Sequence, residues 1–265
     1  MNRRISTLAV GLALMACGAL QAQLFHHTRE PLPPDPAPQP SDLNADQLIA
    51  KHVAARGGEA KLKAIQTVKR TGTWQANVGS PSPVTLMMAK DRFSRRISPD
   101  TDVAMILTID KGTSWEINKR TGINKPQPLP AKDLARFRRL ADPQGPLFDA
   151  KAKGNKVEVV GKMPWKDTQV YKVKVTYPDG GVIHLYLDAK TFMVVRSVTS
   201  LWVDELHKNI DSEAVYKDYR DVDGVKWPFR ETVDTPEANF TQTITWSTTE
   251  VNKPLDEAAF KAPQG

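Results

Sequence analysis

The sequence predicts a mainly β protein, a single antiparallel meander of about a dozen short strands curved into a barrel or part of one. Three observations lead there. Apolar residues alternate at period two over most of the chain beyond residue 66, explicit turn residues punctuate the alternation, and helical spacing is confined to two places.

The chain opens with a leader. Arg3 and Arg4 precede an apolar run over 5–16, and the small-residue stretch 16–22 follows it, which is the layout of a secretory signal peptide cleaved after Ala22. The run is too short to span a bilayer, which takes about 20 residues. The expected location is therefore the periplasm. Leu14-Met15-Ala16-Cys17 also resembles a lipobox, so two outcomes stay open: a soluble chain beginning at Gln23, or one tethered to the outer membrane through a lipidated Cys17. Cys17 is the single cysteine, so no intramolecular disulfide can form and the fold must stand on its core.

Residues 31–40 hold six prolines, a composition that favours extended polyproline II and predicts a semi-rigid spacer that does not pack. The boundaries that follow are 1–22 for the signal peptide, 23–41 for a proline-rich linker and 42–265 for one domain. His26-His27 reads as solvated. The net charge of +7 falls to +5 once Arg3 and Arg4 leave with the leader, which suits an anionic lipid surface or an acidic partner. Nucleic acid is excluded as a partner by the export signal and by the absence of a basic cluster interleaved with aromatics. Arg95-Arg96 and Arg138-Arg139 read as solvated faces.

Asn44 and Gln47 form a capping box, with Leu48, Ile49, His52 and Val53 at helical spacing behind it. Gly57-Gly58 ends that helix and a short one begins at Glu59. His52 reads as a packed histidine. Strands are predicted over 68–76, 84–90, 92–98, 103–109 and 113–118, then 156–163, 169–177, 182–188, 192–200, 213–219, 225–233 and 240–251. Between the two groups, 131–141 carries Leu134, Phe137 and Ala141 on one helical stripe and stops at Pro143. Asp179-Gly180-Gly181 and Asp223-Gly224 sit at hairpin turns.

The strand around Tyr171, Val173, Val175 and Tyr177 buries one face, whereas 84–89, 103–107 and 192–195 are apolar on both and need two-sided cover. A curved sheet roofed by 131–141 would supply it, as would a sandwich. No nucleophile elbow, zinc-protease helix, phosphate loop or cysteine-based metal spacing occurs, so no catalytic residue, metal or cofactor is implied. Asp204-Glu205-Leu206-His207 could serve acid–base chemistry in a cleft but reads better as a solvated turn. Asp218 to Gly224 lacks the closing glutamate of a calcium loop and reads as a hairpin.

The segments Asp46 to Gly58, Lys61 to Ile65, Tyr186 to Arg196, Tyr216 to Phe229 and Val251 to Phe260 resemble, in order, the LolA-like family of bacterial outer-membrane lipoprotein-sorting proteins, from about Leu43 to Pro263. The resemblance implies an incomplete antiparallel barrel of about 11–12 strands, with N-terminal helices and a helical lid over an apolar cavity. It implies a monomeric, non-catalytic carrier of a lipid acyl chain or a lipoprotein, with an envelope protein as a further candidate partner. The expected cavity walls are Trp74, Leu86, Met88, Phe93, Met105, Leu107 and Trp115, and the expected lid residues are Leu134, Phe137 and Leu140. An envelope scaffold or sensor with a filled core is the alternative.

Overall fold

The computed structural model describes residues 29–98, 105–119, 122–129, 134, 137–203 and 207–262. The predicted signal peptide, Cys17 and the His26-His27 pair lie outside them, as do Asp204, Glu205 and part of the 131–141 segment.

Helix α1 (Ala45–Arg56) begins as its sequence requires: the Asn44 side chain accepts from the Gln47 amide and the Gln47 side chain accepts from the Asn44 amide. It ends at Gly57, where φ is +131° and a Cβ would lie 2.1 Å from the Gly224 carbonyl oxygen, so only glycine fits. Helix α2 (Glu59–Lys63) then leads into the sheet.

The strands are β1 (Thr67–Ala76), β2 (Ser82–Ala89), β3 (Arg92–Ile97), β4 (Met105–Asp110), β5 (Thr113–Asn118), β6 (Ile123–Gln127), β7 (Lys156–Trp165), β8 (Thr168–Thr176), β9 (Val182–Asp188), β10 (Val194–Val203), β11 (Lys208–Val222), β12 (Val225–Thr235) and β13 (Phe240–Val251). They form one antiparallel 13-stranded sheet in the order β6-β5-β4-β3-β2-β1-β13-β12-β11-β10-β9-β8-β7. The chain lays down one half from β1 outward, crosses over, and returns from the far edge until β13 pairs with β1. The sheet does not close, and β6 and β7 are its edges. Bulges at Thr71/Gly72, Val159/Gly161 and Val194/Arg196 bend it. The predicted fold class holds, with one strand more than the expected 11–12. The extra strand is β6, whose Ile-Asn-Lys-Pro-Gln sequence carries no alternation and an unfavourable proline; an edge strand with one neighbour tolerates both.

The segment joining β6 to β7 crosses the inner face. Leu129, Phe137, Ala141 and Phe148 are buried there in the main core cluster, alongside side chains from β1 to β4, β12 and β13. Within it Leu134, Phe137 and Arg138 are helical and Arg139–Ala141 is a 3₁₀ turn, so the described part of the predicted helix is short and tightens before Pro143. Helix α1 covers the other half of that face: Leu48 packs with Leu147, Tyr171, Val173, Val175, Leu185 and Leu187.

The outer face is covered by the two ends of the described chain, which corrects the expectation of a spacer that does not pack. Gln39 exchanges both backbone hydrogen bonds with Lys162 on the edge strand β7 (2.8 and 2.9 Å). Asp35 accepts from Lys172, Tyr186 and Arg196 on β8, β9 and β10. Arg29 bonds Asp234 and Thr241 at the β12–β13 end. Residues 29–41 form a strap across half the sheet. At the other end, the 3₁₀ turn Glu257–Phe260 covers β3 to β5, where the Ser94 hydroxyl and the Trp115 indole N–H donate to the carbonyls of Ala259 (2.9 Å) and Phe260 (3.4 Å).

Candidate functional site

The alternation of the strands decides which side chains share the inner face. On β2, Leu86 and Met88 face inward; on β3 and β4, Phe93, Met105 and Leu107 do, and Trp74 joins them from β1. Phe137 seals them at 1% exposure, and Leu134 and Leu140 are partly buried against the same cluster. Nine of the ten predicted wall and lid residues thus meet in one apolar cluster.

Trp115 does not. It pairs with Thr108, opposite in phase to Leu107, and lies on the outer face with Ile106 and Ile117 under the C-terminal turn. An apolar strand with both faces covered gives no sign of which face holds its tryptophan.

The inner face also carries charge that composition does not reveal. Arg70 and Trp74 share a phase on β1 with Val68 and Ala76, and Arg70 is only 3% exposed. Its guanidinium donates to Glu231 (2.9 Å), to the Thr249 hydroxyl (3.1 Å) and to the Pro228 carbonyl, and it stacks 4.3 Å over the Trp246 ring. Glu231 also accepts from the Trp246 indole N–H at 2.7 Å, so this carboxylate is doubly committed. Burial and the neighbouring Glu231 push the Tyr216 hydroxyl up to about 12; it shares a hydrogen bond with Ser197 at 3.1 Å. Arg56 reaches inward from α1, bonds the Gln144 carbonyl and lies 5.4 Å over the Trp227 ring.

Arg95 is placed differently from the reading of Arg95-Arg96 as a solvated pair. Arg96 is exposed, but Arg95 is paired with Leu86 on one side and Leu107 on the other, faces inward and is 6% exposed. The available signal was phase: Arg95 alternates with Phe93 and Ile97. Arg138 is exposed, whereas Arg139 pairs with Asp179 and lies 4.4 Å over the Tyr177 ring.

His52 is packed, as read: its Nδ1–H donates to the Phe192 carbonyl at 2.9 Å, and burial pushes its pKa down to about 4. His207 is exposed in a turn. Asp223 and Gly224 both take positive φ in a two-residue hairpin turn, as their dipeptide predicts. Among the described residues no three His, Cys, Asp or Glu side chains converge to hold a metal ion, and no helix is long and apolar enough to cross a membrane.

Solved structures share this architecture. A LolA superfamily protein from Nitrosomonas europaea matches with a TM-score of 0.53 at 11% identity, over 83% of this chain and 98% of its own. The chain shares the fold of that protein. A putative outer membrane lipoprotein-sorting protein domain from Vibrio parahaemolyticus shares the LolA-like sheet, with a TM-score of 0.53 at 9% identity over 82% of this chain and 97% of that one. A DUF1329 family protein from Desulfovibrio piger matches at 0.56 and 11% identity, over 86% and 98%. No family model matches the chain, and no curated protein does. At such identities the likeness fixes the LolA-like fold, not the activity.

Proposed function

We propose that the protein is a non-catalytic carrier of the bacterial cell envelope that binds a lipid acyl chain, free or on a lipoprotein, against the inner face of its sheet. The observation that carries the reading is a large apolar cluster on the inner face of an open sheet, interrupted by Arg70 and Arg95 and spanned by a connector that contributes Leu134, Phe137 and Leu140 to it. Each buried methylene is worth about 0.8 kcal/mol, so about ten would gain roughly 8 kcal/mol without any directional bond. That exceeds the lower end of the roughly 4–15 kcal/mol cost of association, and a longer chain would add to it.

Under this reading residues 1–22 are an export signal, the mature chain works in the periplasm, and residues from 42 onward form the binding domain. The LolA-like fold supports that placement.

Native mass spectrometry of protein purified from its host's membranes is the test. Co-purified lipid supports the carrier, whereas repeated recovery of bare protein would favour an envelope scaffold or sensor with a filled core. Phe137→Asp places a charge in the lid and should reduce uptake of a fluorescent fatty acid at least tenfold; unchanged uptake by a folded variant would reject the lid assignment.

A further inference from the structure

Two buried donors of the inner face meet no acceptor among the described residues, although the face also carries the buried side chains of Glu116 and Asn118 on β5. Arg95 is buried between Leu86 and Leu107, and among the described residues no hydrogen bond or ion pair closes on its guanidinium. Glu231, the carboxylate whose field reaches it, is already bonded to Arg70 and Trp246. Burial pulls the Arg95 pKa down to about 10 against that attraction, so the group stays charged at neutral pH. A second unpaired donor lies on the same face, four strands away on β12. The Trp227 indole N–H is buried without an acceptor among the described residues, and the guanidiniums of Arg56 and Arg70 lie 5.4 and 5.9 Å from its ring.

Leaving an ion unpaired in an apolar interior is strongly destabilising, and an unmade indole hydrogen bond adds to that cost. Arginine is also not a residue that escapes the cost by losing its proton, since its ordinary pKa lies above 12. Packing alone would favour methionine or leucine at position 95, flanked as it is by two leucines. A guanidinium retained there is complementary to a ligand that brings acceptors and negative charge. Its planar fork matches a carboxylate or a phosphate through two parallel bonds.

We propose that the interior takes an anionic amphiphile, its carboxylate or phosphate head seated on Arg95 and its chain against Leu86, Met88, Phe93 and Leu107. The inference rests on the carrier reading and narrows it, because a neutral lipid would leave Arg95 unpaired. It also assigns Arg70 a separate part: with its acceptors already filled, Arg70 holds Glu231 in place rather than meeting the ligand.

The experiment uses the delipidated full chain and isothermal titration with palmitate, hexadecyl phosphate and the neutral hexadecanol. The intact protein is expected to bind at least one of the two anions at least tenfold more tightly than hexadecanol. Palmitate as the tighter ligand points to a free fatty acid, and hexadecyl phosphate to a phospholipid head. Arg95→Met should remove that preference and, with no ligand present, raise the melting temperature, since it deletes an unpaired charge. Equal binding of anions and alcohol by the intact protein, or a lower melting temperature for Arg95→Met, would overturn the assignment and leave the carrier reading standing. Binding of none of the three would instead remove the carrier reading.

Discussion

Neutralising Asp35 should release the strap. Its carboxylate lies 2.6 Å from Lys172 Nζ, 2.6 Å from Arg196 and 2.5 Å from the Tyr186 hydroxyl, and its side chain is 17% exposed. Burial alone would raise its pKa, but the three donors outweigh that and bring it down to about 2 from 3.8. Taken in full, that difference corresponds to about 2 kcal/mol, and solvent screening at this partly open site reduces it to about 1–2 kcal/mol. Because the folded pKa is depressed, the contribution is present above about pH 4 and fades as the pH falls towards 2. Asp35→Asn should therefore lower the unfolding free energy by about 1–2 kcal/mol at pH 7 and flatten its pH dependence between 4 and 2. Urea titrations across that range measure the first effect, and limited proteolysis of residues 29–41 measures the second consequence, detachment. Equal urea midpoints and equal cleavage rates at pH 7 would refute the view that the strap is fastened through Asp35.

Two further outcomes follow from buried contacts. His52 is held neutral down to about pH 4, while the unfolded chain takes up its proton near 6.5; stability should fall by up to about 3 kcal/mol as the pH drops between those values, and His52→Leu should abolish that component in denaturant titrations. At Gly161, φ is +153° and a Cβ would lie 2.5 Å from the Gln39 carbonyl oxygen and 2.8 Å from Pro38 Cβ. Gly161→Ala should cost about 1–3 kcal/mol and expose residues 29–41 to protease at neutral pH, where Asp35 is still ionised; a fully protected strap in this variant would contradict the packing.

Local chemistry made some elements legible and concealed others. The capping box at Asn44 and Gln47 and the dipeptide Asp223-Gly224 fix a helix start and a hairpin through bonds and backbone angles that lie within a few residues, so their sequences suffice. The strap is the opposite case. Six prolines in ten residues state correctly that the segment forms no helix, but its docking is carried by Asp35 and Gln39 through partners more than 120 residues away, which no local pattern encodes. Strand β6 was concealed by Pro126, and Trp115 by strands whose two faces are equally apolar. The need for cover on both faces was legible; that the chain ends provide it on the outside was not. Arg70 and Arg95 could have been recognised, because each occupies the apolar phase of its strand.

Three arginines distributed over the sheet show how the same side chain separates structure from recognition. Arg196, on the outer face, is met by Asp35 and Glu213 and fastens the strap across β10. Arg70, on the inner face, is met by Glu231, Thr249 and the Pro228 carbonyl, and its positive charge is spent within the protein. Arg95 lies two strands from Arg70 on that same inner face, yet Glu231 reaches it only through space. Were Arg95 merely another packing residue, the pairing that satisfies the other two would be expected around it, since an unpaired buried charge is among the more destabilising features a core can carry. Proteins accept such costs where binding requires them. The asymmetry among the three places recognition at Arg95 and structural support at Arg70 and Arg196.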